Sequence, residues 1–158
     1  MRSRAAIGSH PLHPAIAAIP IGAFTVTLVA DVLTLAGRPG TWYDTARYAL
    51  AVGIAGALVA AVLGFVDYFG VQMSKAGKAL VAWHLRLNLA AVVLFAVSLW
   101  LRLGAAERWG LAFAASTVAY LLLMGGGWLG GKLVFEHKIG VIEHADEEAT
   151  AIGQRERL

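Results

Sequence analysis

The sequence predicts an all-α integral membrane protein, four helices in an up-down-up-down bundle. Three observations carry that prediction. Of its 158 residues, 59% are hydrophobic and 15% charged, against about 25% charged in an ordinary soluble domain. The charges collect between four long apolar runs that are almost free of them. Each run exceeds the roughly 20 residues that a helix needs to cross the hydrocarbon core.

The runs are read in order. His10-Pro11-Leu12-His13-Pro14 precedes the first. Pro14 suits the first turn of a helix, where its missing N–H has no partner to lose. Each proline also pushes the residue before it out of the α region. His10 and His13 are therefore expected to be extended, on the lip of a helix spanning about 14–35. Gly37-Arg38-Pro39-Gly40 stops that helix. The second is expected over 45–69, the third over 79–103 and the fourth over 109–137. The chain then divides into an N-terminal His-Pro segment (1–13), a bundle (14–140) and an acidic, solvated tail (141–158) with Asp146, Glu147 and Glu148. The basic N-terminus is followed by a polar motif and a run of membrane length, so no cleaved signal peptide is expected.

Composition excludes several chemistries. Without cysteine there are no disulfides, thiolate metal sites, cysteine-ligated iron–sulfur clusters or covalent haem attachment. The net charge of +3 does not signal nucleic acid, because the basic residues flank apolar runs and mark topology instead. Four spans put both termini on one side, here side A. Nine of the 13 basic residues fall there, seven when the distant Arg155 and Arg157 are discounted, against four on side B. The positive-inside rule makes side A cytoplasmic, which places the protein in an inner membrane with both termini in the cytoplasm.

The first run contains a polar stripe, His13, Ala17, Pro20, Phe24, Thr27, Asp31, in steps of four and three along one helix face. The third repeats it as His84, Asn88, Ala91, Phe95, Ser98, Arg102, a shift of 71 residues. The same shift carries Gly56 to Gly127, Ala60 to Gly131 and Asp67 to Lys138. Two copies of one hairpin are expected, related by an axis along the membrane normal. Polar side chains in lipid turn inward. His13 and His84 should then face each other near side A, and Asp31 and Arg102 should pair near side B. The second and fourth runs carry small faces, Gly53, Gly56, Ala60 and Gly64 in one and the dense stretch from Gly125 to Gly131 in the other. Small-x-x-x-small helix packing explains such faces; a flat ligand against bare backbone is the functional alternative.

Three readings of these residues stay open. In the first, His13 and His84 on diagonal helices ligate haem b, with Asn88 orienting His84 and Gly127 and Gly131 leaving room for the ring. In the second, His10, His13, His84 and Asp67 hold a divalent transition metal. In the third, the histidines are interfacial and the protein is a scaffold or subunit without a cofactor. His137, closing the fourth helix, caps its dipole more readily than it ligates, and His144 reads as a solvated tail residue. No Ser–His–Asp arrangement, phosphate loop or catalytic carboxylate pair is present, so nothing assigns an enzymatic activity. The sequence assigns no oligomeric state.

The motifs quoted resemble a family of bacterial membrane proteins known as a domain of unknown function (DUF2231). His10-Pro11-Leu12-His13-Pro14 matches its N-terminal His-Pro-x-His-Pro. Asp67 matches an aspartate ending the second span, and His84 with Asn88 a histidine and asparagine in the third. Gly125 to Gly131 with His137 and Gly140-Val141 match its glycine-rich fourth span. Ala17-Ala18 depart from the aromatic residues or histidine that often follow the first motif. The resemblance covers His10 to about Val141 and implies a bacterial inner-membrane location. Some similar proteins continue into a Rieske-type iron–sulfur domain, which implies a redox setting. The expected partners are the lipid bilayer and a separate redox protein or quinone.

Overall fold

Backbone polar groups have no water to bond in hydrocarbon, so an apolar chain satisfies them within helices. The computed structural model describes residues 4–8, 10–37, 40–70, 73–104 and 108–139. Two short strands, β1 (Ala6–Ile7) and β2 (His10–Pro11), pair antiparallel with Ala6 opposite Pro11 and Ile7 opposite His10. Four helices follow: α1 Leu12–Leu35, α2 Thr41–Gly70, α3 Lys75–Leu103 and α4 Trp109–Phe135. All four are long and apolar enough to cross a membrane. Large apolar side chains face outward along each, among them Val29, Val62, Trp100 and Leu121. The membrane solvates such faces, so the core needs only small residues and the polar stripes.

The helix ends follow local chemistry. Gly37 and Gly40 take φ of +81° and +86°, turning the chain from α1 into α2. Ser74 caps α3 by accepting the Gly77 N–H at 3.1 Å, which starts that helix four residues before the expected 79. One expectation fails at the start of α1, on the same side of the bundle. His10 is extended in β2, but His13 lies inside the first turn of α1. Pro11 is the extended N-cap residue, with ψ 130°. Pro14 still falls within the first turn, where no backbone N–H has a helical partner. The usual bias against a helical residue before proline is overridden there. The expected tail over 141–158, with His144, lies outside the described residues, as do Arg38 and Gly140-Val141.

Helices α1 and α2 form one tightly packed hairpin and α3 and α4 another, while α1 and α3 stand diagonally and meet through their stripes. Phe24 and Phe95, both fully buried, stack in the centre with ring centroids 3.7 Å apart and planes 7° from parallel. The 71-residue shift holds between these helices: α1 buries Pro20, Phe24, Thr27 and Asp31, and α3 buries Ala91, Phe95, Ser98 and Arg102. Between α2 and α4 it does not. There Ala46, Leu50, Gly53 and Ala60 correspond in burial to Ala112, Ser116, Ala119 and Gly126, a shift of 66. The five-residue difference arises at the side-B turns. Helix α1 runs four residues past Asp31 but α3 only one past Arg102; α2 starts five residues before Ala46 but α4 three before Ala112. Small residues are dense enough in both helices that the sequence supports either register, and only packing against α1 and α3 selects one.

Candidate functional site

The side-A end of the bundle axis holds His13 and His84, one from each hairpin. Their ring centroids are 6.5 Å apart and their planes 82° from parallel. Each ring is anchored to its own hairpin. His13 Nδ1 lies 2.7 Å from the Ala60 carbonyl oxygen and His84 Nδ1 2.8 Å from that of Gly126. A carbonyl can only accept, so Nδ1 donates and the neutral ring keeps its lone pair on Nε2. Mid-helix carbonyls can take this second bond because each has two lone pairs. Ala60 and Gly126 are equivalent under the 66-residue shift, so the two halves of the site are copies in backbone as well as side chain.

Glycines make room for the imidazoles. A Cβ added at Gly64 would stand 3.1 Å from His13 Cε1, and one added at Gly130 3.0 Å from His84 Cε1. Gly64 and Gly130 are again 66 residues apart. Asn88 donates to the His84 carbonyl at 2.8 Å and packs against Gly126, where an added Cβ would lie 2.6 Å from its Nδ2. The expected glycines, Gly127 and Gly131, have nothing within 4 Å of an added Cβ. Helical phase explains the correction: Gly126 and Gly130 face α3, so their immediate neighbours are turned away. The run Gly125 to Gly131 was the right signal, and the 71-residue alignment selected the wrong members.

The other expected ligands go elsewhere. Asp67 Oδ1 accepts the backbone N–H of Arg4 at 2.8 Å and of Ala5 at 2.9 Å. The Ala5 carbonyl in turn accepts from Leu12 N at 2.8 Å. Asp67 thus ties the segment before α1 to the end of α2, a role the sequence did not suggest. His10 is exposed in β2, and His137 lines a small hollow with Met73, Ser74, Gly77 and Ile139. Among the described residues, no group of three or more His, Cys, Asp or Glu is placed to hold a metal ion. The four-residue set His10, His13, His84 and Asp67 therefore does not converge.

Asp31 and Arg102 occupy the side-B end of the same axis. Arg102 Nη1 donates to Asp31 Oδ1 at 2.8 Å and Nη2 to Oδ2 at 2.7 Å, both side chains fully buried. Ser98 and Ser116 complete the guanidinium shell at 3.3 Å each. Ser98 also donates to the Ala112 carbonyl at 2.7 Å and contacts Ser116 at 2.7 Å. Tyr43 crosses from α2 to donate to the Arg102 carbonyl at 3.0 Å. Ser98 was expected on the inward stripe of α3; Ser116 was not foreseen, because the sequence did not show which face of α4 meets that stripe.

Four apolar helices around a buried polar axis define a membrane protein whose polar groups serve its interior. The chain belongs to the DUF2231 family, described as a predicted membrane protein, whose family model matches residues 9–143. No curated protein and no solved structure matches the chain.

Proposed function

We propose that this membrane protein binds a metal centre between His13 and His84 and uses it in electron transfer, with haem b as the metal centre. The observation that carries the reading is the paired anchoring of Nδ1, which presents the two Nε2 atoms from opposite hairpins, that of His84 with Asn88 Nδ2 3.5 Å away. Metal-ligating histidines are held in this way, their second nitrogen donating to a carbonyl or carboxylate. Two imidazoles bound head-on to one ion, each nitrogen about 2 Å away, have ring centres roughly 6 Å apart, whereas a tetrahedral ion draws them to roughly 5 Å. With ring centroids 6.5 Å apart, His13 and His84 would hold one metal between them, and that metal would supply the one-electron chemistry. A bare divalent metal is the second reading. It would need further donors, and Asp67 is engaged with the backbone of Arg4 and Ala5.

The hollows at Gly64 and Gly130 are filled by the imidazoles themselves. Space for a porphyrin must therefore come from separation of the hairpins, which pack more closely within themselves than against each other. Seven basic residues near the side-A ends favour a cytoplasmic side A, so the site would face cytoplasmic electron carriers or a membrane quinone.

The visible spectrum and metal content of protein produced with ample haem and iron test the proposal. Low-spin haem absorbance should be lost in His13→Ala and in His84→Ala and retained in His144→Ala. His10→Ala should leave haem binding intact, whereas a bare-metal site recruiting a third imidazole would lose metal. Colourless, metal-free protein would overturn both readings and leave a structural membrane protein without a cofactor.

A further inference from the structure

Arg86 stands apart from the other described arginines. It lies eleven residues inside α3 and is exposed on the outer surface of the bundle. Arg102 is buried on Asp31, Arg47 is bridged to Asp44, and Arg4 and Arg108 lie outside the four helices. The four described acids are engaged elsewhere. Asp31, Asp44 and Glu136 meet Arg102, Arg47 and Lys132, and Asp67 accepts the N–H groups of Arg4 and Ala5. Among the described residues, none supplies Arg86 with a carboxylate. Its guanidinium carbon stands instead over the indole of Trp83, 5.2 Å from the ring centroid.

Arg86 is also too deep along α3 to be left to water. Leu103, the last residue of α3, lies seventeen residues beyond it, about 26 Å at the helical rise of 1.5 Å per residue. The hydrocarbon core is about 30 Å thick. When Leu103 reaches the side-B edge, the Arg86 backbone is therefore at or inside the side-A edge. A charged side chain there is costly unless it is paired or reaches the interface. Helical side chains lean toward the N-terminus, which for α3 is side A. The stack on Trp83, three residues nearer that end, shows the guanidinium reaching that way. Trp83 is 57% exposed, like the aromatic side chains that settle among lipid headgroups. Leu89 and Val93, three and seven residues past Arg86, share its helix face and are exposed too. From side A inward, this face offers an aromatic ring, a cation and an apolar track.

We propose that this face of α3 binds an anionic phospholipid of the side-A leaflet, its phosphate held by the Arg86 guanidinium and its acyl chains lying along Leu89 and Val93. A guanidinium meets two phosphate oxygens at once through parallel N–H groups, and the indole of Trp83 steadies its plane against the helix. The charge of the lipid replaces the carboxylate that the described chain does not place there. Two residues are a little over half a helical turn, so Arg86 lies on the far side of α3 from His84. The bound lipid then pins the edge of the bilayer within about 3 Å of the His84 level. This site is separate from the histidine pair, and neither reading depends on the other.

Native mass spectrometry of the full chain, released from micelles holding equal amounts of phosphatidylglycerol and phosphatidylcholine, tests the proposal. The parent should keep phosphatidylglycerol in preference. Arg86→Gln should lower that retention several-fold and leave phosphatidylcholine unchanged. Trp83→Leu should give a smaller loss, because the guanidinium stays but its platform goes. Arg47→Gln should change neither lipid, since Arg47 already faces Asp44. If Arg86→Gln fails to fold, Arg86→Lys takes its place and should also lose phosphatidylglycerol, because an ammonium keeps the charge without the fork. Equal retention of both lipids by the parent, or full retention of phosphatidylglycerol by the Arg86 variant that folds, would overturn the proposal. A loss in Arg47→Gln as large as that in the Arg86 variant would do the same, by reducing the effect to general attraction between charges. Inorganic phosphate at the lipid concentration should displace no phosphatidylglycerol; displacement would mark a site for free anions and overturn the lipid as occupant. The assay needs neither haem nor metal, so its outcome is independent of the histidine site.

Discussion

At the residue scale, the same amino acid has opposite value at different positions of the bundle. Gly53 lies under Phe24, where an added Cβ would be 2.5 Å from the ring, and Phe24 is held by its stack on Phe95. Gly53→Ala should therefore destabilise the protein by about 1–3 kcal/mol through overpacking. Gly127→Ala meets no neighbour and should raise stability by up to about 1 kcal/mol, the helix preference of alanine measured in water. Thermal unfolding of both variants in one detergent checks the contrast, and a Gly53→Ala as stable as the parent would contradict the packing described. Arg102→Ala leaves the Asp31 carboxylate buried without its partner, which costs about 3–5 kcal/mol in comparable pairs. The midpoint of unfolding should fall far more than for Arg47→Ala, whose bridge to Asp44 at 3.1 Å is partly exposed.

At the element scale, the two hairpins are copies that have diverged around their charges. Ser98 and Ser116 surround the guanidinium of Arg102, and the equivalent positions in the first hairpin are Thr27 and Leu50. Exchanging the charges as Asp31→Arg with Arg102→Asp would set the guanidinium beside Leu50, with one hydroxyl instead of two. The exchange should recover only part of the stability that Arg102→Ala removes, and adding Leu50→Ser should recover more. A simple exchange as stable as the parent would show that the serines contribute nothing to the pair. The five-residue difference between the copies resides in the side-B turns, so the histidine ends remain matched down to the accepting carbonyls of Ala60 and Gly126.

At the scale of the whole molecule, an even number of spans puts the N-terminal segment, the α2–α3 connection and the end of α4 on one side. The basic residues near the spans, seven against four, favour that side as cytoplasmic. Reporter fusions following residue 139 should be active in the cytoplasm, and fusions within 37–44 in the periplasm. The reverse pattern would put the histidine pair on the outer face and rule out cytoplasmic partners for the proposed site. Asp67 adds a constraint at this scale, because it ties the segment before α1 to the last turns of α2. Asp67→Ala should speed proteolysis at residues 4–8 while leaving the bundle protected; equal cleavage of parent and variant would argue against that tie.

The helices were legible in the sequence because membrane solvation leaves its mark on every outward position. Runs of apolar residues, their lengths and the glycines between them define four spans without reference to any contact. The stripes on α1 and α3 were legible for a related reason: a polar or aromatic residue in such a run stands out, and its spacing fixes a helix face. That spacing aligned His13 with His84, Phe24 with Phe95 and Asp31 with Arg102. The small residues of α2 and α4 carry no comparable mark. Glycine and alanine are frequent in both helices, so a shift of 71 and one of 66 look equally good until side chains from α1 and α3 choose between them. Only the tertiary structure decided that Gly126 and Gly130, and not Gly127 and Gly131, lie beside Asn88 and His84. It also decided that Ala60 and Gly126 orient the imidazoles and that Asp67 holds backbone N–H groups. Those roles depend on carbonyls and amides, which every residue has and no sequence pattern distinguishes.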